Sequence, residues 1–454
     1  MSSIRPSPEK MREIIARFQA VGAAALTIDI EDSHSGNLAM KWVDADGAPH
    51  MAITATGSQK GDLKETDICF PGIDRTTYGH YKASTETDIH AAILSLPDVG
   101  GSIHAHTKHA IIETLDDRRK PPAEPLPPLR PVDPLGFYHL RSVPVEWFAV
   151  PSGSPEMVKL ITAHLKNGVA MMTHGHGAFT RGRTLEEALY HAALVENSGY
   201  VLWLLRLFGI DPRAAADFVA ETPPRNFPVP PTAYTNESDG ECDFKDEPDT
   251  VAEFLRTGRR IFESRLSPFH TGSLSLRGAN TLLFAPKASM PRNLPGPLLE
   301  RPLMPDAADT AELAFHKEIY KHSNFQAIAH TYPAEAEVAA LAMQPEFANS
   351  AECGTRNSFH TPQYIVPIDA EGSFLYLKIP LLPPEALFEE VLRALHDYRI
   401  IIIRGRGVWA IGEQSLSEVL HRVSSVRDIC YYRAGAATRS LNLAALEPKT
   451  AENW

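Results

Sequence analysis

The chain of 454 residues has only four cysteines, Cys69, Cys242, Cys353 and Cys430. They lie far apart and form no Cys-x-x-Cys pair, which excludes a thiolate-bound structural zinc and a secreted disulfide framework. Long apolar runs are missing too. The best stretch, Val201–Phe208, is broken by Arg206 and falls far short of the roughly 20 residues that cross a bilayer. No apolar leader follows the first methionine, so a cytoplasmic location is expected. Positive charge is scarce: 44 Lys and Arg stand against 56 Asp and Glu, a formal net charge of −12. A surface biased that way repels phosphate backbones, and Arg118-Arg119-Lys120 is too short a run to reverse it. Neither nucleic acid nor a membrane is an expected partner. What remains is a hydrophobic content of 43% and enough length for two or three cored domains.

Periodicity and punctuation divide the chain. Ser7-Pro8-Glu9 opens a helix to about Val21, with serine as cap and proline in the first turn. Ala25–Ile30, Leu38–Val43 and Met51–Ala55 read as strands. Thr85–Leu96 reads as a helix, with Thr85 and Asp88 spaced as a capping box. Gly101–His106 alternates as a strand, and the proline-dense segment from Lys120 to Pro131 reads as an extended loop. A helix from Ser154, a buried strand Val169–Thr173 and a long helix Thr184–Phe208 follow. Residues 221–247, rich in proline and acid, read as a linker between a first domain, 1–220, and a second, 248–454.

The second stretch repeats the first. Helix Thr250–Glu263, strand Gly272–Arg277, helix Ala311–Tyr320 and strand Ala327–His330 come in the same order. A strand ending at Pro380, helix Pro384–Leu395, strand Arg399–Ile403 and helix Leu416–Ala434 follow. Glu312 lies 226 residues after Glu86, His330 lies 226 after His104, and Arg406 lies 230 after His176. So small a drift over such a span is the mark of a tandem duplication.

Only the first copy keeps residues suited to a metal. His104 and His106 sit at i and i+2 of a strand and point to one face. His176 ends a later strand just before a glycine and is placed to close a third position. Three imidazoles with an open position suit a catalytic zinc, with iron or manganese as alternatives. Glu86, in the first turn of its helix, either completes the coordination or acts as acid/base beside the metal. His90 reads as a hydrogen-bonded packing residue, because it persists as His316 where the metal set is broken. His174 and His109 read as pocket or surface residues. In the second copy Tyr332 and Arg406 replace two ligands, and Arg406 is expected to neutralise Glu312.

The segment Ala83–His106, beginning Ala-Ser-Thr-Glu-Thr-Asp-Ile-His and ending His-Ala-His, resembles the class II aldolase/adducin family. So does His176–Ala188, His-Gly-Ala-Phe-Thr-Arg-Gly-Arg-Thr-Leu-Glu-Glu-Ala. The resemblance covers most of residues 8–210, and 250–435 more loosely. It implies two tandem three-layer α/β/α domains, each around a central β-sheet. It also implies one divalent metal per chain on His104, His106 and His176, with Glu86 as acid/base and resting-state ligand. Asn37, Thr56, Gly57, Ser84 and Thr85 match the family's anion-binding positions. The family forms four-fold rings, so a tandem chain is expected to make a homodimer or higher even oligomer with pseudo-four-fold symmetry.

The function expected is a metal-dependent lyase, cleaving a C–C bond of a small hydroxy-carbonyl or keto-acid substrate through a metal-stabilised enediolate. Epimerase, dehydratase and iron-dependent oxygenase chemistry share the scaffold. A non-enzymatic, adducin-like scaffold is the alternative of another class, and the retained histidines argue against it.

Overall fold

The computed structural model describes residues 6–31, 34–71, 77–78, 82–116, 122, 124–224, 244, 247–268, 271–285, 299–303, 309–347 and 363–448. The basic run at 118–120, most of 221–247, Cys242 and Cys353 lie outside the described residues. The chain divides into two compact units. The first lies within residues 1–131 and 136–200, the second within 132–135, 201–290 and 295–454.

The first half runs α1 (Pro8–Thr27), β1 (Asn37–Val43), β2 (Pro49–Thr54), β3 (Ile68–Pro71), β4 (Thr77–Tyr78), α2 (Thr87–Leu94) and β5 (Gly101–Ala105). Then come α3 (Lys108–Thr114), α4 (Pro134–His139), β6 (Val145–Glu146), α5 (Pro155–Asn167), β7 (Ala170–Thr173), β8 (Gly177–Gly182) and α6 (Leu185–Leu207). Its eight strands form one sheet in the order β4-β3-β2-β1-β5-β8-β7-β6. The second half runs α7 (Pro212–Glu221), α8 (Pro248–Glu263), β9 (Ser273–Arg277), β10 (Thr281–Ala285), β11 (Leu299–Pro302), α9 (Ala311–Lys321), β12 (Ala327–Thr331) and α10 (Ala334–Ala342). It ends with β13 (Gln363–Ile365), α11 (Ala370–Leu375), β14 (Ile379–Leu382), α12 (Phe388–Tyr398), β15 (Ile400–Ile403), β16 (Val408–Gly412), α13 (Leu416–Thr438) and α14 (Leu443–Leu446). Its sheet order is β11-β10-β9-β12-β16-β15-β14-β13.

Set side by side, β3-β2-β1-β5-β8-β7-β6 and β11-β10-β9-β12-β16-β15-β14 are the same seven-strand pattern. Each contains one parallel pair at the matching place, β6 with β7 and β14 with β15. The duplication inferred from spacing is therefore present strand for strand.

Strand alternation builds the layers. In the second sheet Leu274, Ala327, Ala329, Ile400, Ile402 and Ala410 pack with α8, α10 and α13. The intervening Leu282, Phe284, Ile328, Ile401, Ile403 and Ile411 pack with α9 and α12. A period of two thus feeds two apolar layers, one per face. In the first sheet Ala39, Ile53, Met171 and Phe179 bury one face against Ile89 and Ile93 of α2 and Met157 and Ile161 of α5. Each such aliphatic side chain contributes about 1.5–3 kcal/mol when fully buried.

Several element boundaries differ from the sequence reading. Ala25–Ile30 is not a strand: α1 continues to Thr27, because Ala20, Val21, Ala24 and Ala25 extend the buried stripe begun by Ile14 and Phe18. Helix α2 begins at Thr87, with Glu86 at the cap position and no side-chain cap bond. The expected Thr85–Asp88 capping box is therefore absent, and just before the helix Ser84 Oγ accepts from Glu86 N–H at 3.2 Å. Helix α12 begins at Phe388 rather than Pro384, since Leu387 is extended and its N–H is held by the Glu390 carboxylate at 2.9 Å.

Candidate metal centre

Register places the first histidine. Across the sheet Asn37 of β1 pairs with His104 of β5, and His104 pairs with Phe179 of β8. The three side chains share one face, so the His104 imidazole lies stacked on Phe179 with 4.2 Å between ring centroids and 22° between planes. Its Nδ1 faces the Ala178 carbonyl oxygen at 3.1 Å. That bond puts the proton on Nδ1 and leaves the Nε2 lone pair pointing outward. His106 follows one alternation later. His176 sits in the tight turn between β7 and β8, whose closing bond runs from His176 N–H to Thr173 O at 3.0 Å. Gly175, at φ +63°, makes that turn, and Gly177 lets β5 come close: a Cβ there would come within 2.4 Å of the Ala105 oxygen and 3.1 Å of the His104 ring.

The three rings converge. Centroids of His104, His106 and His176 are 4.7 to 5.1 Å apart, and one nitrogen of each lies within 4.8 Å of the others. His104 Nε2 and His176 Nδ1 are buried with no hydrogen-bond partner among the described residues. Orphaned buried nitrogens are costly, and a divalent cation satisfies them. Burial, then the neighbouring imidazoles, hold His104 well below the usual histidine range; burial, then His106, pushes His176 down to about 4. His104 and His176 therefore offer neutral imidazoles, the form a metal requires. The donor set fits a divalent cation with nitrogen preference.

Glu86 joins this cluster from the cap of α2. Its Oε2 lies 3.9 Å from His104 Nε2 and accepts a 2.7 Å bond from the Asn37 side-chain amide. Burial pushes its carboxyl up to about 7, against the lowering effect of that bond. His90 Nε2 meets the other end of the Asn37 amide, and its Nδ1 meets Ser102 Oγ at 2.9 Å.

The other expected residues fall in two groups. Ser84 and Thr85 precede α2, and Thr56 Oγ1 donates to Ala83 O at 3.0 Å, so Thr56-Gly57 abuts Ser84-Thr85. Thr85 Oγ1 also lies 3.5 Å from Ser152 Oγ. Asn37 bonds Glu86 and His90 through its side-chain amide. His174 turns away to Asp116 at 3.2 Å, and His109 is paired with Glu196 at 2.5 Å; neither joins the three imidazoles. Sequence reading missed Ser102 and Ser152. Ser102 was legible: it is two residues before His104 on the same strand face.

The comparisons with known proteins agree with the duplication. The model of the class II aldolase and adducin N-terminal domain matches residues 17–203 and again 252–433. The chain belongs to that family. A methylthioribulose-1-phosphate dehydratase of Leptospira biflexa is 29% identical over 174 residues, 36% of this chain and 82% of that protein. A 5-methylthioribulose-1-phosphate/5-deoxyribulose-1-phosphate aldolase of Rhodospirillum rubrum is 27% identical over 179 residues, 39% of this chain and 74% of that one. Among solved structures, the L-fuculose-1-phosphate aldolase of Thermus thermophilus is 25% identical, covers 43% of this chain and 96% of its own, and has a TM-score of 0.37.

The second class II aldolase domain is built on the same register but closed. Ser273 pairs with His330, and His330 with Trp409, where the first domain has Asn37, His104 and Phe179. His330 again stacks on its neighbour, at 4.1 Å and 14° from the Trp409 ring. Its Nε2, however, faces the Arg406 carbonyl oxygen at 2.8 Å and its Nδ1 faces Glu312 Oε1 at 2.6 Å. Both ring nitrogens are thus taken by oxygens, and neither lone pair is left for a metal. The expectation that Arg406 neutralises Glu312 is not met: its guanidinium lies over the Phe315 ring, 5.5 Å from the centroid, while His330 takes the carboxylate. Among the described residues no helix is long and apolar enough to cross a membrane.

Proposed function

We propose that the first domain is a metal-dependent lyase acting on a small hydroxy-carbonyl or keto-acid substrate by cleaving a C–C bond. The observation that carries this is the meeting of three imidazoles, of which His104 and His176 are held neutral with orphaned buried nitrogens, and a carboxyl whose proton affinity is raised to about 7. His104, His106 and His176 would hold one divalent metal, with Glu86 at hand as a further ligand. Zinc is the first choice from the donor set, with iron or manganese as alternatives. When bound, the metal supplies Lewis-acid polarisation of a substrate carbonyl.

Glu86 moves the proton. A carboxyl that titrates near neutrality both accepts and returns a proton in one turnover. Oε2 is engaged by Asn37, so the exchange falls to Oε1. Thr56, Gly57, Ser84 and Thr85 would hold the anionic end of the substrate through hydroxyls and backbone N–H groups.

A dehydratase is the second reading, favoured by the likeness to the Leptospira biflexa protein; water loss and C–C cleavage beside a carbonyl need the same proton carrier. Metal-loaded protein incubated with 5-methylthioribulose 1-phosphate separates the two. Two fragments support the lyase, a product lighter by one water supports the dehydratase, and an unchanged compound removes both for this substrate. Epimerase or iron-dependent oxygenase activity would then be sought on the same site, and a non-enzymatic scaffold would follow from failure to bind metal.

We place the functional halves at 1–220 and 248–454, with limited proteolysis expected to cut within 221–247. A cytoplasmic homodimer or higher even oligomer of pseudo-four-fold symmetry completes the proposal. A single monomeric species in light scattering would remove the oligomer.

A further inference from the structure

Two buried polar chains, one in each domain, end on a glutamate. In the first, Glu86 Oε2 meets the Asn37 amide, the amide meets His90, and His90 meets Ser102. With Glu86 ionised, each direction follows. A carboxylate only accepts, so Asn37 must present its Nδ2–H to Glu86 and its Oδ1 to His90. His90 Nε2 must then carry the hydrogen, and its bare Nδ1 accepts from the Ser102 hydroxyl. His90 is fully buried and burial pushes it down to about 3, which keeps it neutral and able to hold that tautomer.

The second domain carries the same chain with other residues. Tyr320 meets Ser275 at 2.8 Å, Ser275 meets His316 Nδ1 at 2.7 Å, His316 Nε2 meets Ser273 at 2.8 Å, and Ser273 donates to Glu312 Oε1 at 2.6 Å. From Ser275 onward each group again donates toward the glutamate. The bridging residues differ: Asn37 spans two bonds with a planar amide, whereas Ser273 bridges with one hydroxyl. Where the hydroxyl stands, the glutamate has closed onto the strand histidine at 2.6 Å; where the amide stands, the nearest approach is 3.9 Å.

We propose that Ser102, His90 and Asn37 are positioning residues: a one-way chain of hydrogen bonds that holds the Glu86 carboxylate off His104 and aimed at the metal position. This rests on the metal-centre reading above. The His90 side chain hydrogen-bonds only Asn37 and Ser102 among the described residues, so its hydrogen-bonded route to the Glu86 carboxylate runs through Asn37.

The test uses full-length, metal-stripped protein and added cobalt(II). Long-range proton–nitrogen spectra should show His90 in the Nε2–H tautomer, and Asn37→Leu should mix the tautomers. On cobalt loading, His90→Leu should give the visible spectrum of Glu86→Gln and bind cobalt roughly tenfold more weakly than wild type. His90→Gln, whose amide N–H reaches the Asn37 oxygen, should keep the wild-type spectrum. Cobalt bound with an unchanged spectrum in His90→Leu would overturn the positioning role and leave the metal centre standing. No cobalt bound by wild type would overturn the metal reading itself. In that case an Nδ1–H tautomer at His90 would overturn the chain as well.

Discussion

Glu312 and His330 are joined by a 2.6 Å hydrogen bond between Oε1 and Nδ1, where their counterparts Glu86 and His104 stand 3.9 Å apart. This contact leaves His330 without a nitrogen for a metal, beside the replacements at Tyr332 and Arg406. Restoring histidine at both places, Tyr332→His with Arg406→His, should therefore not restore a site. Calorimetric titration of a variant carrying those changes and His106→Ala should show metal binding at least about 100-fold weaker than the native first site.

The same pair predicts a pH effect. Burial pushes Glu312 up, but His330 and Ser273 outweigh it and hold the carboxyl below its usual value. A depressed carboxyl stabilises the fold above its unfolded value and loses that contribution as pH falls through the folded one. Unfolding in urea should show the second domain weakening as pH falls below the ordinary carboxyl value of 4.5, and Glu312→Ala should cost it about 3 kcal/mol at neutral pH by leaving His330 without its partner.

Glu86 carries the opposite sign. In metal-stripped protein its carboxyl is raised from 4.5 to about 7, chiefly by burial. The native state then binds the proton more tightly than the unfolded chain, so stability is full below pH 4.5 and falls as pH rises toward 7. The loss amounts to roughly 3 kcal/mol, and Glu86→Gln should abolish it. Denaturant midpoints at several pH values would check both statements.

Glycine substitutions should separate close approach from backbone conformation. At Gly177 an added Cβ meets the Ala105 oxygen at 2.4 Å, so Gly177→Ala should destabilise by roughly 2 kcal/mol or more and weaken metal binding. At Gly57 nothing lies within 4 Å and only the φ of +72° opposes a side chain. Gly57→Ala should cost roughly 1 kcal/mol. Thermal unfolding with and without metal distinguishes the two.

Much of this architecture was legible because it rests on spacing. The His-x-His alternation places His104 and His106 on one strand face, and constant offsets expose the repeat that the two strand orders reproduce. What was not legible depends on cross-strand register and ring orientation. No local pattern reveals that Asn37 sits opposite His104, or that its amide bonds Glu86 and His90. Nor does the sequence show that His330 turns its other nitrogen toward the backbone, since that follows from Glu312 closing in. The misread Ala25–Ile30 has a simpler cause: a short apolar run satisfies both periods, and the buried stripe of α1, packed on residues 60–63, carries the helix on to Thr27.

The central claim is one metal centre in the first domain and none in the second. Elemental analysis of wild type, His176→Ala and His330→Ala, each reloaded with zinc and desalted, tests it most directly. The expected result is about one metal per chain in wild type and His330→Ala, and none in His176→Ala. Two metals in wild type, or metal retained by His176→Ala, would contradict the account.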